Sequence, residues 1–257
     1  MTYQSARLLT GADPHETLVQ FVFFSTICSY SFHYYYTTHS VILSPRIQWQ
    51  KGKRQLLLFL FITGLAGSVF FFFRLSAYWP WLLPAVAATF LYSAPKLPHP
   101  LFHRLRKVAI GKTIFLSFIW MYVTTVLPVI VSGQSWNSSL TIFALSRFFF
   151  IYCICILFDY RDREDDKAEG VKSLITYLSE KNITLLYYFS WLVYVSCTVW
   201  MAGYGFSLRS IILLLLPGVI LAFIHHYARR NFSDLLYYVV LDGLMALSAI
   251  LMLIACI

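Results

Sequence analysis

Acidic residues are the scarcest feature of this chain of 257 residues. It has only 11 Asp and Glu residues, and none falls between Thr17 and Phe158. All charged residues together make up 12% of the sequence, whereas 59% of it is hydrophobic. This composition excludes a soluble globular core of similar length and is typical of a protein with several membrane-spanning segments.

Several other signals are missing as well. Residues 1–16 lack the apolar core and small-residue cleavage site of a signal peptide, so we expect the first span to insert as its own signal. The five cysteines show no metal-ligand spacing, and the seven histidines form no HExxH motif. A net charge of +9 does not indicate nucleic acid, because the basic residues flank the hydrophobic runs.

The hydrophobic runs predict an all-α bundle of about eight transmembrane spans, since about 20 apolar residues cross a bilayer core of about 30 Å. We expect a single transmembrane domain over residues 17–257 and a short extracytoplasmic segment over residues 1–16. The predicted spans cover residues 17–37, 55–73, 77–93, 108–131, 139–159, 183–203, 210–228 and 235–257.

Lysine and arginine collect in alternate loops, namely those after the first, third, fifth and seventh predicted spans. The positive-inside rule predicts that these loops are cytoplasmic and that both ends of the chain are extracytoplasmic. We therefore expect a multi-pass protein of the cytoplasmic (inner) membrane.

Six of the acidic residues fall in one stretch, FDYRDREDDKAEGVKSLITYL, residues 158–178. Asp159, Asp162 and Asp166 would share one face if the fifth span continued as a helix. Carboxylates placed in this way can hold Mg²⁺, which usually keeps waters and substrate phosphates among its ligands. Four basic residues of the stretch could balance the remaining phosphate charge: Arg161, Arg163, Lys167 and Lys172. The alternative is a solvated loop in which Asp and Arg pair with each other.

Asp159-x-x-Asp162-x-x-x-Asp166 resembles the second aspartate motif of the UbiA-type intramembrane prenyltransferases. The sequence that follows, EGVKSLITYLSEKN, is similar to the family's Gly, Lys, Ser/Thr and Leu pattern. LYSAPKLPHPLFHRLRKVAIGK, residues 91–112, looks like the family's other main cytoplasmic loop, and YYVVLDGLMAL is similar to its final helix.

The resemblance implies a helical bundle around a cavity that is open to the membrane, in which two aspartate motifs hold Mg²⁺ and a prenyl diphosphate. The prenyl group would pass to an aromatic or lipid-forming, lipophilic acceptor. Asp159, Asp162 and Asp166 would be the metal-binding and catalytic residues, at the cytoplasmic face. We expect a cationic, diphosphate-binding wall opposite them, built from Lys96, Arg104, Arg106 and Lys112.

The family's first motif, Asn-Asp-x-x-Asp-x-x-x-Asp, is missing. It should fall where this chain reads CSYSFHYYYTTHSVILSPR, which contains no acidic residue. Three interpretations stay open. The protein is a prenyltransferase that compensates with basic residues, or a non-catalytic binder of a polyprenyl or quinone-type lipid that could serve a protein partner, or a carrier of a solute or lipid.

Two charged residues lie inside predicted spans, where ionisable groups are costly. Arg147 lies in the first half of the fifth span, and we expect its side chain to snorkel to the outer interface. Asp242 lies two turns into the last span, where a structural hydrogen bond to a neighbouring helix is the simpler interpretation.

Overall fold

A computed structural model describes residues 1–37, 49, 51–93, 111–168 and 173–255. Every regular element within these ranges is helical, which confirms the predicted all-α class. The helices are α1 (Thr2–Thr10), α2 (Glu16–Thr37), α3 (Arg54–Arg74), α4 (Trp79–Ser93), α5 (Lys112–Val131), α6 (Ser138–Arg161), α7 (Arg163–Ala168), α8 (Leu174–Tyr177), α9 (Glu180–Trp200), α10 (Leu208–Ala228) and α11 (Leu236–Ile254).

Six of these helices are long and apolar enough to cross a membrane, namely α3, α5, α6, α9, α10 and α11. The other two predicted spans correspond to α2 and α4, which are helical but are not among the six. The sequence of α2 is rich in Tyr, Ser and Thr, and α4 has only 15 residues. The described part of the chain is thus roughly consistent with a prediction of about eight spans.

The described contacts divide the chain into two compact units, and residues 13–106 form one of them. In this unit α2 packs closely along α3. Gly64 permits the approach, because a Cβ atom at this position would lie 2.6 Å from the backbone nitrogen of Cys28. Phe24 and Phe71 stack in the same interface with ring centroids 5.6 Å apart.

Residues 1–12 and 107–257 form the other unit, in which α6 packs against both α5 and α9. Asn137 caps α6, since its side-chain oxygen accepts a hydrogen bond of 3.0 Å from the backbone N–H of Leu140. All residues from Phe150 to Leu157 are buried. A helix that is apolar on every side is stable only inside a bundle or a membrane, so α6 supplies the core of this unit.

α5 and α6 run in opposite directions, so the start of α5 lies beside the end of α6 and its aspartates. We call this end of the unit the motif end, and the other the opposite end. Two of the spanning helices contain a π-helical turn, at Tyr122–Val126 in α5 and at Leu236–Leu241 in α11. π-Helical turns occur frequently at functional sites, and the one in α11 lies at the motif end.

α1 is a polar helix that packs at the opposite end against α5 and α11. The amide oxygen of Gln4 accepts a hydrogen bond of 3.1 Å from Ser248, and the hydroxyl of Ser5 lies 3.5 Å from that of Thr125. Gln4 and Ser5 are both buried. The division into residues 1–16 and residues 17–257 stays a prediction.

Candidate functional site

Asp159 is a buried carboxylate near the end of α6, with 6% of its surface exposed. Thr113 donates a hydrogen bond from its hydroxyl to Asp159 Oδ2, and Lys112 Nζ lies 3.9 Å from Asp159 Oδ1. A carboxylate withdrawn from water requires such partners, because an unpaired buried charge is very costly. The fold therefore brings together two predicted site residues, Asp159 and Lys112, that lie far apart in the sequence.

Arg161 extends from the end of α6 to the π-helical turn of α11. Its Nε donates to Asp162 Oδ1 at 2.8 Å, and its Nη2 donates to the phenol oxygen of Tyr238 at 2.8 Å. Its Nη1 is buried and has no hydrogen-bond partner among the described residues. The guanidinium also lies 4.8–5.2 Å from the centroids of three aromatic rings, those of Phe158, Tyr237 and Tyr238. Arg161 can thus offer a fixed N–H group to an anion.

The aspartate motif crosses a break between two helices. α6 ends at Arg161 and α7 begins at Arg163, with Asp162 as the turn between them. Helical hydrogen bonds nevertheless run through the turn, from the N–H of Asp162 to the carbonyl of Phe158 at 3.1 Å and from the N–H of Asp166 to that of Asp162 at 2.8 Å. The i, i+3, i+7 spacing of the motif is therefore kept in a helix-like path.

The other predicted basic residues have different surroundings. Arg163 forms an ion pair with Glu180 and donates a second hydrogen bond of 2.9 Å to the carbonyl of Leu178. Lys167 pairs with Glu164 at 2.7 Å on the exposed side of α7. The remaining predicted phosphate-binding residues lie outside the described residues: Lys96, Arg104, Arg106 and Lys172.

The donor set fits Mg²⁺ only together with a phosphate ligand. Within the described ranges, no group of three His, Cys, Asp or Glu side chains could hold a metal ion by itself. Mg²⁺ commonly binds through one or two carboxylates, with waters and substrate phosphates as the other ligands. Asp162 and Asp166 carry oxygen atoms of this kind, and the side chain of Asp162 is 41% exposed although Arg161 donates to its Oδ1. Asp159 is buried and contacts Thr113 and Lys112.

Sequence reasoning missed several polar residues of this region: Thr113, Glu180 and Tyr238. Nothing in the sequence marks Thr113 or Tyr238 as a site residue, because only the fold brings them to the motif. Glu180 did carry a signal, since an acidic residue is rare in this chain and this one follows the motif closely. Asp242, interpreted above as structural, begins the α-helical part of α11 and attracts the guanidinium of Arg161 electrostatically.

The snorkelling interpretation of Arg147 is wrong. Its side chain is buried, with 1% exposed, in the half of α6 near the opposite end. Its Nη2 donates to the hydroxyl of Ser146 at 3.2 Å, and its Nε has no hydrogen-bond partner among the described residues. The guanidinium lies 5.3–5.6 Å from the ring centroids of Phe143, Phe150 and Tyr194. The guanidinium of Arg147 is therefore surrounded by aromatic rings and neighbouring helices, and not by the lipid and interfacial water that the snorkelling interpretation expected.

Comparison with known proteins assigns the chain to a family. No curated protein and no solved structure gives a significant match. A sequence model of the UbiA prenyltransferase family matches residues 18–236, which is most of the chain and includes the whole aspartate motif. With six helices in its described part that are long and apolar enough to cross a membrane, this integral membrane protein belongs to the UbiA prenyltransferase family.

Proposed function

We propose that this protein is a prenyltransferase that moves the prenyl group of a prenyl diphosphate to an aromatic or lipid-forming acceptor with the assistance of Mg²⁺. The observation that carries the proposal is the meeting of Asp159, Lys112 and Thr113 at the motif end. Two helices bring a buried carboxylate and a lysine together beside Arg161 and the rest of the motif. UbiA prenyltransferases generally use Mg²⁺ through aspartate-rich motifs.

The motif end supplies both kinds of group that a diphosphate requires. Asp162 and Asp166 would hold Mg²⁺ together with phosphate oxygens. When bound, Mg²⁺ neutralises the charge that develops on the diphosphate leaving group as the carbon–oxygen bond breaks. Arg161 and Lys112 would bind phosphate oxygens directly, and the Nη1 of Arg161 has no partner within the described part of the chain.

Fixed cations would offset the absence of the family's first aspartate motif. That motif would supply carboxylates for further metal ions, and this chain has no acidic residue from Thr17 to Phe158. Lys112 at 3.9 Å from Asp159 is a cation of this kind that belongs to the protein itself. We propose that Lys96, Arg104 and Arg106 complete the same cationic wall.

The aromatic residues at the motif end suit the reaction. Ionisation of an allylic diphosphate produces a carbocation, which aromatic faces stabilise and water would quench. Three aromatic rings contact the guanidinium of Arg161 at this end, those of Phe158, Tyr237 and Tyr238. We further propose that this end faces the cytoplasm, in the cytoplasmic membrane, in accordance with the loop charges.

A second candidate is a non-catalytic binder of a polyprenyl or quinone-type lipid. The absence of the family's first aspartate motif favours it, because this chain has no acidic residue from Thr17 to Phe158. The test is incubation of the purified protein with a radiolabelled prenyl diphosphate, Mg²⁺ and membrane lipid extract. A labelled lipid product supports the transferase, whereas saturable binding without product supports the binder.

Variants test whether the site is a diphosphate site at all. Asp162→Ala should weaken binding of the prenyl diphosphate only when Mg²⁺ is present, because that residue would act through the metal. Lys112→Ala and Lys96→Ala should weaken binding with or without Mg²⁺. Equal binding by the wild type and all three variants in both conditions would refute the diphosphate site.

A further inference from the structure

Two residues between the aspartates of the motif, Tyr160 and Arg163, contact the same carboxylate, that of Glu180. The phenol of Tyr160 donates a hydrogen bond of 3.1 Å to Glu180 Oε2, and Arg163 Nη1 pairs with Glu180 Oε1. Glu180 is the first residue of α9, which Ser179 caps. Tyr160 and Arg163 are thus both bonded to the first residue of α9.

A third residue completes the cluster. Arg229, directly after α10, pairs with Glu180 Oε2 and donates a hydrogen bond of 2.6 Å to the hydroxyl of Thr184. Its guanidinium lies over the ring of Tyr160, with 4.5 Å to the centroid. Glu180 therefore links the ends of four helices, α6, α7, α9 and α10, at the motif end.

We expect the cluster around Glu180 to affect the geometry of the turn at Asp162 more than the stability of the protein. The side chain of Glu180 is 55% exposed, and an exposed ion pair contributes at most about 1 kcal/mol. Its two oxygens are nevertheless shared by two guanidinium groups and a phenol, which leaves few other arrangements for the turn at Asp162. The same turn sets the directions of Asp162 and Asp166.

The two arginines of the motif consequently differ in their surroundings. Arg161 contacts Asp162 and Tyr238, with one nitrogen unpartnered among the described residues. Arg163 contacts Glu180 and the carbonyl of Leu178, and its Nε likewise has no partner among the described residues. The difference between the two arginines therefore lies in their neighbours: Arg161 faces the π-helical turn of α11, and Arg163 ties the turn at Asp162 to the start of α9.

We propose that Glu180 is a positioning residue for the aspartate motif. By holding Tyr160 and Arg163, it fixes the turn between α6 and α7 so that Asp162 and Asp166 point toward the bound diphosphate. This inference rests on the proposed function, because it assigns the turn to a diphosphate site.

The test compares Glu180→Gln with Glu164→Gln. Both substitutions remove one exposed carboxylate from the motif end, but Glu164 pairs with Lys167 on α7 and not with the turn. The first measurement is hydrogen exchange of the peptide covering residues 158–168, with residues 141–152 as internal reference. The second measurement is binding of radiolabelled farnesyl diphosphate in excess Mg²⁺.

Glu180→Gln should speed exchange in residues 158–168 and not in residues 141–152. It should also weaken farnesyl diphosphate binding by about tenfold or more, because small displacements of positioned groups are costly. Glu164→Gln should change neither quantity.

The two measurements separate the possible failures. Unchanged exchange in Glu180→Gln would overturn the positioning role. Faster exchange with unchanged binding would also overturn it, since the turn would not belong to the site. If wild-type protein fails to bind farnesyl diphosphate, the proposed function fails and with it the assignment of the turn to a diphosphate site, although faster exchange would still show that Glu180 holds the turn.

Discussion

α6 contains two arginines in similar aromatic settings, about 21 Å apart along the helix axis. Arg161 at the motif end and Arg147 toward the opposite end each have three aromatic rings within 6 Å of the guanidinium carbon. Arg161 also has a carboxylate and a phenol at 2.8 Å. Arg147 has one serine hydroxyl at 3.2 Å, and no carboxylate of the described residues forms an ion pair with it.

The difference distinguishes two uses of a buried cation. At the motif end, acids and bases from several helices satisfy one another and leave hydrogen-bonding capacity for an anion. Around Arg147, aromatic faces take the place of a counter-ion, which is the weaker form of compensation. We therefore expect substitution of Arg161 to affect ligand binding and substitution of Arg147 to affect packing.

The largest expected effect is that of Arg161→Met on prenyl diphosphate binding. Hydrogen bonds to a charged group contribute about 1.5–3 kcal/mol, so the dissociation constant should rise by about 10- to 100-fold. Equilibrium binding of a radiolabelled prenyl diphosphate measures it. Arg209→Met, on the exposed start of α10 at the opposite end, is the matched control and should bind normally. Normal binding by Arg161→Met would remove the distinction between the two arginines.

Gly218→Ala should destabilise the aromatic surroundings of Arg147. A Cβ atom at Gly218 would overlap the ring of Tyr194, which lies against the guanidinium. Overpacking of this kind costs about 1–3 kcal/mol, and the midpoint of thermal unfolding in detergent should fall. Gly243→Ala is the control, because its new Cβ would meet no atom within 4 Å. Equal midpoints for the two variants would contradict the close packing.

Tyr238→Phe should weaken prenyl diphosphate binding by about threefold, because Tyr238 acts through Arg161 and its loss costs only part of what a hydrogen bond to a charged group contributes, about 1.5–3 kcal/mol. The substitution removes the acceptor for Arg161 Nη2 and keeps the ring beneath the guanidinium. Titration of the ligand against both proteins at the same Mg²⁺ concentration measures the change. An effect as large as that of Arg161→Met would mean that Tyr238 itself binds the ligand.

Arg147→Met should have the smallest effect. Replacing a buried charge that lacks an ionic partner by an apolar side chain of similar length is commonly neutral or stabilising, here by about 1 kcal/mol. The thermal midpoint should stay equal or rise, and prenyl diphosphate binding should not change. A clear fall in the midpoint would show that the aromatic rings and Ser146 compensate the charge fully.

Most of the fold followed from the sequence, because long apolar runs have few alternatives in a membrane. The predicted spans and the helices agree closely along the chain, as in residues 139–159 and α6. The motif was recognisable because Asp159, Asp162 and Asp166 belong to a cluster of six acidic residues in a chain that has only 11. Its assignment to metal and diphosphate stays a prediction.

The partners of the charged residues did not follow from the sequence. Thr113 and Tyr238 reach the motif only after α5 and α11 have packed beside α6. Periodicity cannot tell which span will lie next to which when all of them are apolar. The burial of Arg147 was missed for the same reason: its position along the helix suggested the interface, whereas its neighbours decide its exposure.

The contacts of α1 have a consequence for the order in which the protein is made. Gln4 accepts a hydrogen bond from Ser248 and donates one to the sulfur of Met252, residues that are more than 240 positions away in the chain. During synthesis, the buried amide of Gln4 therefore gains these two hydrogen-bond partners only after α11 has been made. Contacts of such long range form late. A chain that stops before α11 would leave the buried amide of Gln4 without these two partners, whereas Ser5 would still reach Thr125 in α5.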